Sequence, residues 1–498
     1  RIFEKTVGNS GEEKYKLHKR ERYGKKDMIK FGTGGWRAII GDEFTKENIQ
    51  TLAKALCDKM KHEGVEKKGI VMGYDRRFLS KEAMQWAAVV FAAEGVKSYL
   101  INKSSPTPLV MYYVEKHDFA YGMMVTASHN PAIYNGIKVF TAGGRDADET
   151  QTGEIESYIA KVEKPVAEME YDAAKAQGLI EEIYPLNEYL DNIMAAIDMD
   201  VIRKSGLRVV LDPMYGVSET SLRTLLQTAR CEVEVIHDRH DTLFGGRLPA
   251  PSAATLHMLQ TYVTDKHYDI GIATDGDADR LGIIDDTGRF LHPNEILVVL
   301  YYYLKKFKNW QGPAVRNICT THVLDRVAEA FGEKCYEVPV GFKYVSAKMN
   351  ETNAVIGGES SGGLTVRGHI KGKDGIYAGM LLVEMIAASG KKLSRIIADV
   401  EAEFGSIQME ERDYHFNNEK KAEIRKILLE DKQLPELPFE IEKVSYLDGS
   451  KVYFRNGGWV IARFSGTEPL LRIFCEMPDP KDAAKVCEIY ESYLKLER

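Results

Sequence analysis

Asp275, Asp277 and Asp279 occupy every second position of the segment Thr274-Asp-Gly-Asp-Ala-Asp-Arg280. Three carboxylates this close repel one another, and a divalent cation removes that cost. Hard oxygen ligands grouped in this way suit Mg²⁺ better than Zn²⁺. Arg280 adds a cation beside the metal, where a phosphate could be gripped. An acidic turn between strands is more often a solvated hairpin, but three alternating aspartates followed by an arginine are uncommon in one. An EF-hand also begins Asp-x-Asp-x-Asp, but it needs glycine at loop position six and a helix on each side. Here that position is Arg280 and the flanks are strand-like, so an EF-hand is excluded.

Three further segments have chemical potential. Thr126-Ala-Ser-His-Asn-Pro131 places Ser128 beside His129 in a turn set by Asn130-Pro131. A serine hydroxyl is a weak nucleophile unless it is activated or already carries a group. No G-x-S-x-G elbow is present, so a hydrolase triad is not indicated. A phosphorylated Ser128 would give charge and oxygens to a Mg²⁺ held by the three aspartates. Its side chain is expected to be small and exposed on its loop. Gly357-Gly-Glu-Ser-Ser-Gly-Gly363 surrounds Glu359, Ser360 and Ser361 with glycines; its carboxylate and hydroxyls suit sugar hydroxyls, and a flexible turn is the plainer alternative. Arg463-Phe-Ser-Gly-Thr-Glu-Pro469, followed by Arg472, reads as a phosphate cradle. Ser465 and Thr467 offer hydroxyls, and Gly466 frees backbone N–H groups. The segment lacks the lysine and spacing of a P-loop. Phe31-Gly-Thr-Gly-Gly-Trp-Arg37 is glycine-rich but is not a dinucleotide fingerprint. Lys138 follows Ser128 by ten residues and could neutralise a phosphoserine or move a proton.

These loops need elements to position them, and the pattern around them is repetitive. In a first unit, apolar segments at Gly69–Gly73, Ser98–Ile101 and Tyr121–Val125 read as strands. Helices are expected at Lys81–Gly95 and Thr107–Lys116, and the Ser128 loop closes the unit. A second unit runs through Leu207–Leu211, Glu232–Ile236, a helix near Leu256–Lys266 and Ile270–Ala273, and ends in the acidic loop. A third runs through Val315–Cys319, a helix at Leu324–Phe331, Cys335–Val338 and Ala354–Ile356, and ends in the Glu359 loop. Alternating strands and helices predict α/β layers with helices on both sheet faces. Loops beyond strand ends are where such sheets bind ligands, so the three loops are expected to converge on one cleft. From about Phe404 the pattern changes to a smaller α+β domain, with a helix at Asn418–Leu429 and strands at Lys451–Phe454 and Trp459–Arg463. The expected division is 28–200, 201–308, 309–404 and 405–498, after a charged leader at 1–27. That leader lacks the apolar centre of a signal peptide and is expected to be disordered, processed or added.

Composition narrows the class. The 498 residues suggest three or four domains, and 44% hydrophobic with 28% charged residues is ordinary for a globular protein. A net charge of −7 argues against bulk attraction to nucleic acid or to an anionic membrane. A phosphate must therefore be bound by local arginines and lysines against the global field. The six cysteines are dispersed without a C-x-x-C, which suits a reducing cytoplasm better than a disulfide framework or a zinc site. No apolar run has the length of a membrane span.

Taken in order, the Gly-Gly-Trp-Arg37 start, the Thr-Ala-Ser128-His-Asn-Pro loop, the Asp275-Gly-Asp-Ala-Asp-Arg loop, the Gly-Glu359-Ser-Ser-Gly loop and the Arg463-x-Ser-Gly-Thr-Glu-Pro loop resemble the α-D-phosphohexomutase family, of phosphoglucomutase/phosphomannomutase type. The resemblance spans Phe31 to Arg472. It implies three similar α/β domains with mixed sheets between helices, plus a smaller C-terminal domain, around a central cleft. It implies that Ser128 is phosphorylated and, with Asp275, Asp277 and Asp279, holds Mg²⁺. Arg37, His129, Lys138 and Arg280 would surround the transferring group, with His129 and Lys138 as candidate proton movers, Lys138 slightly ahead. Lys343, Glu359 and Ser361 would hold the sugar, and Arg463, Ser465, Gly466, Thr467 and Arg472 the non-reacting phosphate. The implied reaction moves a phosphoryl group between the 1- and 6-positions of a hexose phosphate, with glucose 1,6-bisphosphate as activator and intermediate. The partners implied are a small hexose phosphate, no nucleic acid and no membrane, in a cytoplasmic monomer or small homo-oligomer.

Substrate choice turns on one departure. The bacterial glucosamine and dual glucose/mannose mutases usually carry histidine after the glycine of the sugar loop, and this chain has Gly363 there. With Gly341-Phe-Lys343, Gly368-His-Ile-Lys371 and Lys373-Asp-Gly375, that looks more like a phosphoglucomutase; mannose phosphate stays open. Two other classes compete: a non-catalytic sugar-phosphate-binding paralogue, and a Mg²⁺-dependent phosphatase, which would release inorganic phosphate.

Overall fold

The computed structural model describes residues 29–32, 34–465 and 470–496. The leader at 1–27 and the cradle residues Gly466 and Thr467 lie outside the described residues. Among those described, the strands are β1 (Trp36–Ile39), β2 (Ile70–Tyr74), β3 (Ser98–Ile101), β4 (Tyr121–Val125), β5 (Tyr134–Thr141), β6 (Arg145–Asp146) and β7 (Ile180–Ile183) in the first sheet. The second sheet holds β8 (Arg208–Asp212), β9 (Glu232–Val235), β10 (Ile270–Thr274), β11 (Leu281–Ile284) and β12 (Phe290–Leu291). The third holds β13 (Ala314–Asn317), β14 (Cys335–Val338), β15 (Ile356–Gly358) and β16 (Leu364–Val366). The fourth holds β17 (Met409–His415), β18 (Ile441–Ser445), β19 (Ser450–Phe454), β20 (Trp459–Phe464) and β21 (Leu470–Glu476).

The repeat expected from sequence is a repeat of topology. The first three sheets contain the same spatial order: β5-β4-β2-β3, β11-β10-β8-β9 and β16-β15-β13-β14. In each, three parallel strands are followed by a return strand antiparallel to the third. The functional loop is the reversal between those last two strands: Ser128 between β4 and β5, the aspartates between β10 and β11, Glu359 between β15 and β16. Strands β4 and β10 are apolar almost throughout and buried on both faces, as parallel strands covered by helices must be. The fourth sheet is antiparallel, in the order β17-β21-β20-β19-β18, with helix Pro480–Leu494 packed on it.

The hydrophobic core is continuous across the second and third sheets and reaches the helices Thr107–Lys116 and Leu186–Ala196. The outer face of the first sheet and the C-terminal domain have cores of their own. Helix Pro293–Lys306, which a boundary at 308 would leave with the second unit, packs against helices Val323–Ala330 and Leu393–Phe404 of the third. Two helices start at the acidic loop. Thr107, first residue of Thr107–Lys116, donates its N–H to Asp277 O at 2.9 Å, and Gly375, first residue of Gly375–Ser389, donates to Ala278 O at 3.1 Å. Both positive helix ends therefore face the aspartates, which favours their ionised form. Among the described residues, no helix is long and apolar enough to cross a membrane.

Candidate active site

Arg77 builds the serine loop. It follows β2, and its Nη2 donates to Ser128 O and Asn130 O at 2.6 Å each, while Nη1 donates to Pro131 O and Tyr134 O at 2.9 Å each. Asp75 completes the platform, accepting from Thr126 Oγ1 at 2.6 Å and from Ser80 Oγ at 2.8 Å. Four loop carbonyls held by one guanidinium keep Ser128 at φ +51°, in the left-handed region. That conformation costs a non-glycine residue about 1–2 kcal/mol. Ala278 in the acidic loop carries the same kind of strain at φ +60°.

The expectation that Ser128 is exposed is corrected by the structure: only 1% of it is accessible. The acidic loop lies directly on it. A Cβ on Gly276 would sit 2.7 Å from Ser128 O, so glycine is required for that approach. The Ser128 hydroxyl donates to Asp275 Oδ2 at 2.8 Å and lies 3.4 Å from His129 Nδ1.

Each aspartate has a distinct set of partners. Asp275 Oδ1 accepts the Arg280 N–H at 3.0 Å. Asp277 Oδ2 accepts from Thr107 Oγ1 at 2.6 Å and from Lys138 Nζ at 2.7 Å. Asp279 Oδ2 meets Lys138 Nζ at 2.8 Å and Lys373 Nζ at 3.0 Å. Asp277 Oδ1 and Asp279 Oδ1 are buried without a hydrogen-bond partner. One ligand atom from each of the three carboxylates lies within 4.8 Å of the others. Three hard carboxylates this close, two of them with an orphaned oxygen, fit a divalent cation such as Mg²⁺.

The electrostatics follow from this packing. Burial pushes the Asp275 carboxyl well up, and Asp279 and Asp277 add to the shift. Burial pushes Asp279 the same way, but Lys138, Lys373 and Arg280 outweigh it and hold the group well below its usual range. Burial works against the charge on Lys138, yet Asp277 and Asp279 prevail and raise it. Arg280 first, then burial and Arg37, hold His129 well below the ordinary imidazole value. Arg37 donates to Asn130 Oδ1 at 2.7 Å, and its Nε, like that of Arg280, is buried without a hydrogen-bond partner, the Arg280 Nε lying 3.9 Å from Asp279 Oδ1. Unsatisfied cationic donors beside a serine hydroxyl leave a place for an anion.

The expected residues meet in one cleft of roughly 1180 Å³. Its lining includes Arg37, His129, Lys138, Asp279 and Arg280, together with Lys343, Glu359, Ser361, Arg463, Ser465 and Arg472. Ser128, Asp275 and Asp277 lie beneath that lining. Among the described residues, cations outnumber carboxylates along the cleft although the chain is acidic overall. Glu359 Oε1 accepts from Asn317 Nδ2 at 3.1 Å and from the Gly341 N–H at 3.0 Å, which fixes the carboxylate at the cleft wall. Lys343 is engaged by Glu149 of the first unit. Arg463 on β20 and Arg472 on β21 stand directly opposite each other. Each already faces a carboxylate, Arg463 Nε with Asp448 at 2.8 Å and Arg472 Nε with Asp413 at 3.5 Å, and their remaining guanidinium N–H groups suit an anion.

Four contributors are missing from the sequence reading of the site. Arg77 and Asp75 sit just past an apolar strand, at the end where α/β sheets place function; that position is legible in the sequence, but the carbonyl oxygens Arg77 binds are not. Lys373 was noted in its segment without a role; its stem fills the space a side chain at 363 would take, since a Cβ on Gly363 would collide with Lys373 Cδ. Asn317 gave no signal.

Family models for phosphoglucomutase/phosphomannomutase match the chain in order: alpha/beta/alpha domain I at 28–166, domain II at 187–288, domain III at 292–404 and the C-terminal domain at 397–490. A phosphoglucomutase/phosphomannomutase of Thermococcus kodakarensis is 30% identical over 463 residues, spanning 92% of this chain and 97% of its own. A phosphoglucosamine mutase of Acetivibrio thermocellus is 30% identical over 478 residues, spanning 93% and 99%. The crystal structure of a Thermus thermophilus protein assigned as a phosphomannomutase superimposes with a TM-score of 0.81 at 29% identity, covering 94% of this chain and 99% of that one. With every domain matched in order and these relatives covered almost end to end, the chain belongs to the phosphoglucomutase/phosphomannomutase family and is a phosphohexomutase.

Proposed function

We propose that the chain interconverts the 1- and 6-phosphates of a hexose, glucose first, through phosphorylated Ser128 and a 1,6-bisphosphate. The observation that carries this reading is the Ser128 hydroxyl held on Asp275 under a cluster of unsatisfied arginine donors. In the same cleft, the facing pair Arg463 and Arg472 forms a second cationic pole. Two poles suit a substrate that carries a phosphate at each end during the reaction.

Asp275, Asp277 and Asp279, with an oxygen on Ser128, would hold Mg²⁺, which supplies charge neutralisation to the transferring phosphoryl group. The remaining work belongs to the chain. Glucose 1,6-bisphosphate would prime Ser128. The free hydroxyl of the bound sugar phosphate attacks the phosphorus, the bond to Ser128 Oγ breaks, and the hydroxyl proton leaves to a neighbouring base. His129 Nδ1 lies 3.4 Å from Ser128 Oγ, whereas Lys138 Nζ is committed to two aspartates, so His129 takes the proton-moving role and Lys138 stays a fixed cation. The bisphosphate then turns over in the cleft, and Ser128 Oγ recovers the other phosphoryl group. Arg37 and Arg280 steady the transferring group. Glu359, Ser361 and Lys343 hold the sugar in either orientation, and Arg463, Ser465 and Arg472, with Gly466 and Thr467, hold the idle phosphate. Catalysis of this kind rests on positioning and charge.

Glucose is favoured because Gly363 leaves its space to Lys373 rather than to a histidine. Glucosamine phosphate is the second reading, on the strength of the relative named for it. The test has two arms. Phosphopeptide mapping after incubation with glucose 1,6-bisphosphate should place the phosphate on Ser128; a phosphate found elsewhere, or none, contradicts the mechanism. Turnover of glucose, mannose and glucosamine 6-phosphates in parallel should rank glucose first, and a higher kcat/KM for glucosamine 6-phosphate selects the second reading.

A further inference from the structure

One carboxylate oxygen joins the two halves of the ligand-binding wall. Asp448 lies in the turn between β18 and β19 of the C-terminal domain. Its Oδ2 accepts from Arg463 Nε at 2.8 Å and from the Val340 N–H of the third unit at 2.9 Å. The next amide in that unit, Gly341 N–H, donates to Glu359 Oε1 at 3.0 Å. Two consecutive N–H groups thus tie Asp448 on one side and Glu359 on the other. The turn is also seated closely on the strand that carries Arg463: Gly449 has φ +107°, and a Cβ there would meet Ala462 O at 2.6 Å and Arg463 Cα at 3.1 Å. The Asp448 and Arg463 side chains are only 24% and 16% exposed.

We propose that Asp448 is a positioning residue that fixes the Arg463 guanidinium relative to the Glu359 carboxylate, so that the phosphate and hydroxyl ends of one sugar phosphate are gripped at a set spacing. The inference rests on the reading of Arg463 as a phosphate anchor. A guanidinium recognises phosphate through its planar fork, and a carboxylate on Nε fixes the orientation of that plane. Val340 N–H carries the same constraint to the sugar loop through one peptide. A role in turn stability alone would lower the melting temperature without separating ground-state binding from turnover.

The test is steady-state kinetics with glucose 1-phosphate on Asp448→Ala, Asp448→Asn, Arg463→Ala and the Asp448→Ala/Arg463→Ala double variant, with melting temperatures alongside. Asp448→Ala should raise KM on the order of tenfold while kcat changes far less, as expected when binding orientation is lost. Asp448→Asn, which keeps an acceptor oxygen but not the charge, should fall between wild type and Asp448→Ala. The double variant should be no worse in KM than Arg463→Ala, because both changes remove one interaction. Wild-type KM in both Asp448 variants, or losses that multiply in the double variant, overturn the proposal. If Asp448→Ala does not fold, Asp448→Asn decides, and an unchanged KM there overturns it as well. Wild-type KM in Arg463→Ala would instead remove the phosphate-anchor reading itself.

Discussion

Ser128 and Asp275, 147 positions apart in sequence, share a hydrogen bond of 2.8 Å with both side chains buried. The bond crosses from the loop between β4 and β5 to the loop between β10 and β11. It places a nucleophilic hydroxyl at the edge of a carboxylate cluster whose remaining orphaned oxygens call for a cation. Neither loop holds this geometry alone. Arg77 staples one, and two helix N-termini with Thr107 and Gly375 pin the other.

Ser128→Ala should lower kcat by on the order of 10⁴-fold or more, since the group that carries the phosphoryl is gone. The lost bond to Asp275 should cost about 1–3 kcal/mol, because a buried acceptor is left unpaired. Ser128→Gly should be as inactive but no less stable than the alanine variant, since glycine adopts φ +51° without strain. Thermal unfolding of the pair checks this, and a glycine variant clearly less stable than the alanine one would contradict the strain.

Removal of divalent metal should abolish turnover, and Mg²⁺ should restore it. Mg²⁺ at about 100 times its dissociation constant should also stabilise the fold by about 2.7 kcal/mol. In Asp279→Asn the half-saturating Mg²⁺ concentration should rise at least about tenfold, so that the stabilisation at the same Mg²⁺ concentration falls to about 1.4 kcal/mol or less. The metal-free protein should remain folded, because Lys138 already bridges Asp277 and Asp279. Calorimetry with and without Mg²⁺ decides.

Gly363→Ala should displace the Lys373 stem, which occupies the position of the added Cβ. Lys373 Nζ would then leave Asp279, and kcat/KM should fall about tenfold with little change in melting temperature. Combined with Lys373→Ala, the substitution should cost nothing further. Gly363→His should change the ratio of glucose to mannose turnover, and an unchanged ratio would contradict the reading of the sugar loop.

Acid stability should depend on the contact between the third unit and the C-terminal domain. Burial there, with Arg316 adding to it, lowers His322 to about 3, and its Nε2 faces Lys451 Nζ at 3.1 Å. The folded imidazole stays neutral while the unfolded one takes a proton near pH 6.5. Stability is therefore lost as pH falls from about 6.5 toward 3, at about 1.4 kcal/mol per pH unit from this group. His322→Gln should flatten that limb of the profile, measured by urea unfolding between about pH 7 and 4. An unchanged slope would contradict the assignment.

The functional loops were legible because each carries residue types that a plain turn does not need: three aspartates, Ser-His-Asn-Pro, or glycines around a carboxylate. The repeated strand order was legible in outline, since β2, β8 and β13 each open an apolar run at a similar spacing. What sequence could not show was the support. Arg77 binds carbonyl oxygens, Asp448 binds an amide more than a hundred positions away, and Lys373 occupies another residue's missing side chain. Such roles depend on where the backbone returns, and no local pattern encodes that. The burial of Ser128 is hidden from the sequence for the same reason, because the loop that covers it lies in another unit.

Phosphoryl transfer through Ser128 is tested most directly by ³¹P NMR of glucose 1-phosphate with the enzyme, Mg²⁺ and catalytic glucose 1,6-bisphosphate, run beside the Ser128→Ala variant. The predicted result is conversion to the 6-phosphate with no inorganic phosphate released, and no conversion in the variant. Accumulation of free phosphate, or undiminished conversion by Ser128→Ala, would contradict it.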